Sequence, residues 1–407
     1  MAGVAWSAWQ RFAFRFGVIA AALMVSMHLF IFVPIPALTI ALMRGWHWLS
    51  VQFGALLGLD VPPLEFTGSG DQLWHYLQLA LCGLFAVIGA LAWTLRARAV
   101  AYPRLAAICV VVLRYYLAGI LIGYGMAKVL PMQFPPLYLA RYDQAIGDMS
   151  PMGLLWSFMG HSQTYTWFAG AAEVVGSVLL LWRRTSVIGA LILIAVMTNV
   201  VLLNFCYDVP VKLFSLQLLA MLFAVVLPDA RRLLGAVLGY PAREAPPRTR
   251  GTPTAERVRL AIKLVMIVMI GLRAWGHYTF VDAIERMRTK SALHGIWRAE
   301  RVVIDGVEHP PLLTDDARWH KLIFHEYGLV LRFTTDRRQY LRAEIDPKAH
   351  TITVLHGVLR VVWQYQRVDA EHLVVDTPHV HAELVIEPPP LLETRGFHWV
   401  QEAPFNR

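Results

Sequence analysis

Charged residues are scarce in this 407-residue chain, because Asp, Glu, Lys and Arg together make up only 16% of it. Residues 16–43 contain no Asp, Glu or Lys, while hydrophobic residues reach 57% of the whole chain. Such a composition excludes an ordinary soluble protein and indicates several membrane spans. Residues 282–407 are in contrast dense in charges of both signs. We therefore expect one membrane domain followed by one soluble domain.

Cysteine is also rare, and the three cysteines are scattered without a C-x-x-C motif, so the sequence gives no support for thiol–disulfide chemistry. The net charge of +9 is explained by arginines in short loops on one side of a bilayer. We therefore expect a lipid bilayer as partner and no nucleic acid. His379 and His381 share one face of a predicted strand, but too few further ligands fall at diagnostic spacing to predict a metal site.

Seven apolar runs are long enough to cross a membrane. They lie near residues 17–43, 73–95, 105–128, 165–182, 186–205, 211–227 and 259–276, and Pro34 and Pro36 interrupt the first, which we interpret as a signal anchor. Arginines concentrate in alternate loops, which places the N-terminus in the cytoplasm and the C-terminus outside. The sequence thus predicts a multi-pass protein of a bacterial inner membrane with a periplasmic C-terminal domain.

The pattern of hydrophobic residues changes near residue 290, where short alternating segments such as TITVLHG and HLVVDT begin. Repeated short strands predict an antiparallel barrel or sandwich. The predicted fold is an α-helical polytopic membrane bundle followed by this small β domain. Gly295-Ile296-Trp297 resembles the first strand of lipocalin-type barrels, in which the Trp packs across the barrel base. The predicted domains are a six-span membrane domain (1–239), a cytoplasmic linker (240–257), a seventh transmembrane helix (258–280) and the β domain (281–407).

Two opposite charges lie inside consecutive spans, which hydrocarbon tolerates only when they face a partner or a polar cavity. Arg114 and Glu173 are each about nine residues from an Arg-flanked end, so we expect them at one depth as a buried ion pair. Lys128 shares the helix face of Arg114, about 21 Å further along. Gly170 and Gly176 flank Glu173 and predict a tight helix crossing around it. A structural pair and a ligand-binding interior remain alternatives for these charges.

A second group of polar residues is predicted to meet at the outer membrane face. Asp208 and Lys212 can pair one helical turn apart, with Asp208 near the N-cap of a helix that begins at Pro210. The alternative is a polar cavity mouth in which Lys128 and Asp208 carry the chemistry. The residues expected to bind a cofactor there or deeper in the membrane are Arg114, Glu173, Gln133, Asn204, Tyr207 and Lys212.

The stretches YLAGILIGYGMAKVLPMQFP and AGAAEVVGSVLLLWRRTSVIGALILIAVMTNVVLLNF resemble the DoxX/DoxD-like membrane proteins. The resemblance covers approximately residues 105–230, and Lys128 and Glu173 match the family pattern best. It implies thiosulfate:quinone oxidoreduction, an activity of some archaeal members. The lysine-bearing helix is also similar to that of the vitamin K-dependent carboxylase group, which implies that Lys128 meets a quinone. The two leading spans, the seventh span and the β domain depart from the compact four-span pattern, and nothing resembles a sulfur-handling site.

Three functions follow from these observations. The first is a subunit of a quinone-linked membrane oxidoreductase, in which a partner redox subunit supplies electrons, since the sequence carries no flavin, haem or iron–sulfur signature. The second is an envelope protein that binds a lipid or another apolar ligand, with the β domain as carrier. The third is a membrane scaffold. The sequence leaves open whether the protein is an enzyme.

Overall fold

The computed structural model describes residues 5–26, 36–240, 253–287, 291–356 and 359–406. The chain divides into two compact units, here called the membrane unit (Met1–Phe134 and Ser162–Thr279) and the barrel unit (Pro135–His161 and Phe280–Arg407). The predicted membrane domain was a continuous stretch. The structure instead groups residues 135–161, which lie between two membrane helices in the chain, with the barrel.

Eleven helices precede the β domain in the described residues. Among them, seven stretches are long and apolar enough to cross a membrane, which confirms the predicted number of spans. The helices are α1 (Ala8–Ser26), α2 (Pro36–Leu56), α3 (Leu73–Arg96), α4 (Pro103–Val129), α5 (Leu139–Tyr142), α6 (Pro151–His161), α7 (Gln163–Leu181), α8 (Ser186–Cys206), α9 (Lys212–Val226), α10 (Ala230–Val237) and α11 (Pro253–Met287).

Two predicted boundaries are corrected. The described parts of the run 17–43 belong to two helices, since α1 ends at Ser26 and α2 begins at Pro36, and α2 is not among the membrane-capable helices. Proline suits the first position of a helix, where its missing N–H leaves no hydrogen bond unmade. Residues 253–257 of the predicted linker form the first turns of α11. Residues 241–252 lie outside the described part.

Glycines bring α4, α7 and α8 into close contact. A Cβ on Gly125 of α4 would lie 2.8 Å from the carbonyl oxygen of Gly170 on α7, and a Cβ on Gly189 of α8 would lie 2.6 Å from that of Gly176. No side chain fits at such distances, so the helix backbones touch directly. The tight crossing predicted from Gly170 and Gly176 is therefore confirmed. Between these contacts, leucines such as Leu117, Leu180 and Leu193 are fully buried.

The β domain is a closed antiparallel barrel. Its strands are β1 (Gly295–Ile304), β2 (Val307–Glu308), β3 (Trp319–His325), β4 (Gly328–Phe333), β5 (Arg338–Asp346), β6 (Thr351–His356), β7 (Leu359–Arg367), β8 (His372–Asp376) and β9 (Val380–Ile386). Neighbouring strands pair in chain order from β3 onwards, β1 pairs with both β3 and β9, and β2 extends the edge of β1, so eight strands close the barrel. Side chains alternate between the inside and the outside of the barrel, and on β8 Leu373 and Val375 point inside.

The barrel interior is filled by large side chains. Trp297 on β1 is 1% exposed and donates its indole N–H to the carbonyl of Leu293 over 2.9 Å. Phe324, Trp363 and Tyr365 belong to the same buried cluster. Trp297 therefore belongs to the barrel core, and the core is a packed one, while the resemblance of this strand to lipocalins stays a prediction.

Candidate functional site

The buried ion pair of the membrane unit joins Lys128 to Glu173. The Nζ of Lys128 donates to both carboxylate oxygens of Glu173, over 2.9 and 3.0 Å. Both residues are buried, at 7% and 2% exposure, and the glycine contact of Gly125 with Gly170 lies directly beside them. The Nζ of Lys128 also lies 5.9 Å from the ring centroid of Tyr124, within cation–π range. Lys128 is therefore a buried partner of a carboxylate and not a side chain that extends to the membrane surface.

The predicted pair of Arg114 with Glu173 is wrong. The guanidinium of Arg114 instead donates from Nε to the carbonyl oxygen of Leu180 over 2.8 Å, at the C-terminal end of α7, where a cation is favoured. Glu173 precedes Leu180 by two helical turns, about 10 Å. The error arose because both depths were counted from flanking arginines, whereas α4 has 27 residues, α7 has 19, and α4 extends well past the end of α7.

The predicted outer cluster divides into separate contacts. Lys212 donates to Asp208 over 2.7 Å, which confirms that pair, and its Nζ lies 3.8 Å from Asp71. Asp208 does not cap the following helix, because α9 begins at Lys212 and not at Pro210. The first amides of α9 donate to Asp71 instead, over 2.8 and 3.0 Å. Asp71 lies far away in sequence, in the loop before α3, so local spacing gave no signal of its role.

The remaining predicted residues occupy different positions. Asn204 is buried at the end of α8, and its side-chain nitrogen has no hydrogen-bond partner among the described residues. Gln133 follows α4, and its buried side-chain oxygen likewise has no hydrogen-bond partner among the described residues. Tyr207 is half-buried and forms the C-cap of α8. Lys128 pairs with Glu173 and Lys212 pairs with Asp208, so the two lysines bind different carboxylates.

A cavity of about 570 Å³ lies within the membrane unit, and its lining includes none of the eight predicted site residues. Its walls are largely apolar, with the rings of Trp74, Tyr124 and Phe214 among them. The loop 65–70 closes one side. This loop is fastened to the start of α9, because Gly70 donates its N–H to the carbonyl of Pro210 over 2.8 Å. Tyr124 connects the cavity wall with Lys128.

Three polar side chains of the cavity lining can meet a ligand. Gln78 is 8% exposed, and its amide has no hydrogen bond within the described residues although it faces the cavity. His75 accepts the backbone N–H of Gln72 at Nδ1, which leaves the proton of the neutral ring on Nε2 as a donor. Gln217 of α9 adds a second amide. The sequence signal for this site is the polar, glycine-containing segment FTGSGDQ ahead of a span, which was not among the predicted site residues.

The barrel unit contains a second buried carboxylate, Asp143, in the segment that follows α5. It is 5% exposed and accepts hydrogen bonds from Lys321 and Arg332, each over 2.8 Å, while Arg338 lies 4.0 Å away. Leu139 and Ala140 pack beside it against apolar side chains of β1, β3 and β4. The segment 135–161 is thus held on the barrel by a carboxylate among three cations.

The charges around Asp143 shift the pKa values of neighbouring groups. The hydrogen bond from Arg332 lowers the pKa of Asp336. Burial lowers the pKa of His320, and the positive charges of Arg332 and Lys321 lower it further. The first shift favours the ionised form of Asp336, and the second favours the neutral form of His320.

The two histidines considered for metal binding each meet a different carboxylate. His379 lies 2.8 Å from Asp305, and His381 lies 2.6 Å from Asp376. All four side chains are well exposed. This arrangement pairs each histidine locally and does not bring their ring nitrogens to one point.

Comparison with known proteins relates the middle of the chain to one family. A family model described as DoxX matches residues 109–204, which run from α4 to α8 and include Lys128 and Glu173. The chain is 34% identical to the uncharacterized protein YwoB of Bacillus subtilis (strain 168) over 122 residues, which make up 30% of this chain and 77% of YwoB. No solved structure shows a significant match. Together with the glycine-packed α4–α7 pair, these matches show that the chain belongs to the DoxX family.

Proposed function

We propose that the membrane unit binds a quinone in its cavity and that the protein serves as a subunit of a quinone-linked membrane oxidoreductase. The observation that carries this proposal is the cavity itself. Its volume of about 570 Å³ falls within the range of small-molecule sites, and it combines apolar walls with a few converging polar groups.

The lining residues named above offer groups that could bind a quinone headgroup. Trp74, Tyr124 and Phe214 provide aromatic surfaces on which a flat ring can pack. The amide of Gln78 and the Nε2–H of His75 are donors suited to carbonyl oxygens, which accept hydrogen bonds. A bound quinone would supply two-electron redox chemistry, and a partner redox subunit would exchange electrons with it. The chain's own residues would bind and orient the ring.

Tyr124 lies between the cavity and the buried ion pair. Its ring borders the cavity and lies 5.9 Å from the Nζ of Lys128, so a ligand packed on that ring would lie close to a buried charge. We propose that Lys128 and Glu173 hold the α4–α7 wall of the site in place. Asp208 and Lys212 would act at the opposite wall, where Lys212 and Asp71 position the start of α9.

The packed interior of the barrel favours the cavity over the barrel as the place where an apolar ligand binds. Trp297, Phe324 and Trp363 fill the space that a carrier would keep open for its ligand. We therefore place the proposed ligand in the membrane cavity, and direct identification of a bound molecule distinguishes a quinone from a lipid chain.

We expect Gln78→Leu to weaken binding of a short-chain quinone about two- to tenfold, because one neutral hydrogen bond contributes about 0.5–1.5 kcal/mol. Equilibrium dialysis of the full chain in detergent–lipid micelles measures this dissociation constant. Gln52→Leu, at an exposed position of α2, is the matched control and should leave it unchanged. Equal affinity of the Gln78→Leu protein, or a purified protein whose organic extract contains lipid but no quinone, would refute the quinone proposal.

We also propose that the protein resides in a bacterial inner membrane with its barrel in the periplasm. The one-sided arginines support this orientation, and the segment 135–161, predicted to lie outside, packs on the barrel. Alkaline phosphatase fused after residue 407 should be active, and the same enzyme fused at residue 246 should be inactive, because it folds only in an oxidising compartment. The reverse pattern of activities would show that the orientation is inverted.

A further inference from the structure

The chain segment 395–405, here called the tip loop, displays apolar side chains to solvent at the end of the barrel unit. Phe397, Trp399 and Val400 are 79%, 91% and 74% exposed. The rings of Phe397 and Trp399 meet edge to face, with centroids 5.0 Å apart. Single exposed apolar residues are ordinary on protein surfaces, but neighbouring large ones mark an interaction site.

The tip loop has its own internal contacts, which present these side chains outward. The guanidinium of Arg395 lies 3.9 Å from the ring centroid of Phe405 and donates to the side-chain oxygen of Gln401 over 3.3 Å. The base of the loop is thus closed by Arg395, while the apolar side chains at its far end take no part in that closure. Such a loop exposes apolar surface without unfolding.

We propose that the tip loop inserts into the interfacial layer of the lipid bilayer. Tryptophan is enriched at the membrane–water interface, because its ring is apolar and its N–H finds hydrogen-bond partners among headgroups. A bilayer is already the environment of this protein, since the described residues include seven membrane-capable stretches. This inference does not depend on the proposed quinone site.

The length of the connection from α11 keeps the bilayer within reach of the barrel. The last membrane-capable stretch ends at Ala283, α11 ends at Met287, and β1 begins at Gly295. The seven residues between Met287 and Gly295 give eight Cα–Cα steps, which span at most about 29 Å, so the chain tethers β1 closely to the last membrane-capable stretch. An apolar loop on a domain tethered so closely meets lipid at high effective concentration.

Fluorescence quenching by brominated lipid tests the proposal on the full chain. The difference between the emission of the wild-type protein and of Trp399→Phe isolates the signal of Trp399. In phosphatidylcholine vesicles brominated near the headgroup end of the acyl chains, we expect this signal to lose most of its intensity relative to unbrominated vesicles. We also expect Trp399 to lose this quenching in the double variant Phe397→Ser, Val400→Ser, because two of the three most exposed apolar side chains of the loop are then missing.

Leu313 provides the matched control, because it belongs to the same barrel unit and is 80% exposed. Leu313→Trp in the Trp399→Phe background should stay unquenched if the tip loop makes the specific contact. Equal quenching at both positions would show that the barrel lies on lipid without specificity, and it would overturn the proposal. A Trp399 signal that is blue-shifted but unquenched would also overturn it, because it would indicate that a protein surface covers the loop.

Discussion

Replacing Glu173 by leucine is expected to lower the free energy of unfolding of the membrane unit by about 3–5 kcal/mol, because it leaves the ammonium of Lys128 buried without its carboxylate. Lys128→Met should lower the free energy of unfolding by a similar amount, because it leaves the carboxylate of Glu173 buried without its cation. The double variant should be close to the wild type, since two apolar side chains need no partner at this position. The two hydrogen bonds between Lys128 and Glu173, over 2.9 and 3.0 Å, lead us to expect this non-additivity.

Unfolding of the single and double variants in mixed micelles with increasing denaturing detergent measures this coupling. Lys212 and Asp208 provide a matched control, because they are also a lysine–carboxylate pair, but the side chain of Asp208 is 81% exposed. Their coupling should stay below about 1 kcal/mol. Strictly additive losses for Lys128→Met and Glu173→Leu would contradict the buried-pair interpretation.

Asp143→Asn is expected to release the segment 135–161 from the barrel surface. The substitution keeps the size of the side chain but removes a buried negative charge that touches both Lys321 and Arg332. Because Lys321 keeps Glu387 and Arg332 keeps Asp336, we expect a loss of about 1.5–3 kcal/mol, the contribution of a hydrogen bond to a charged group. Unfolding of the barrel unit should then occur at lower temperature. Trypsin should cleave the chain after Arg141, which is half-buried in the native protein, more rapidly than in the wild type.

Asp336→Asn is the control for this substitution. Asp336 also accepts a hydrogen bond from Arg332, but its side chain is 63% exposed, so water replaces the lost contact. We expect little change in melting temperature or in the rate of cleavage. If Asp143→Asn behaved like Asp336→Asn, the segment would be held chiefly by the apolar contacts of Leu139 and Ala140.

Features that depend on local periodicity were predictable. The apolar runs identified the membrane helices because a span needs about twenty apolar residues in a row. The alternation in segments such as HLVVDT identified the strands, since successive side chains in a strand point to opposite faces. The glycines around Glu173 indicated a tight helix crossing because no larger residue permits backbone contact.

The partner of each buried charge was not predictable, because it depends on how far one helix slides along another. Arg114 and Glu173 have the same distance from their flanking arginines, yet α4 extends well beyond α7, and Glu173 meets Lys128 instead. A shift of two turns, about 10 Å, changes the partner without changing either helix. Hydropathy contains no information about this register.

The sequence by itself determined the number of spans, the order of the membrane and β domains and the presence of short antiparallel strands. Only the tertiary structure decided that Asp71 caps α9, that Asp143 holds the segment 135–161 on the barrel, and that Gln78 faces a cavity. The physical reason is the range of the interactions. Periodicity is a property of neighbouring residues. Each of these contacts instead joins residues far apart in the chain, and whether they meet depends on the packing of whole helices and strands.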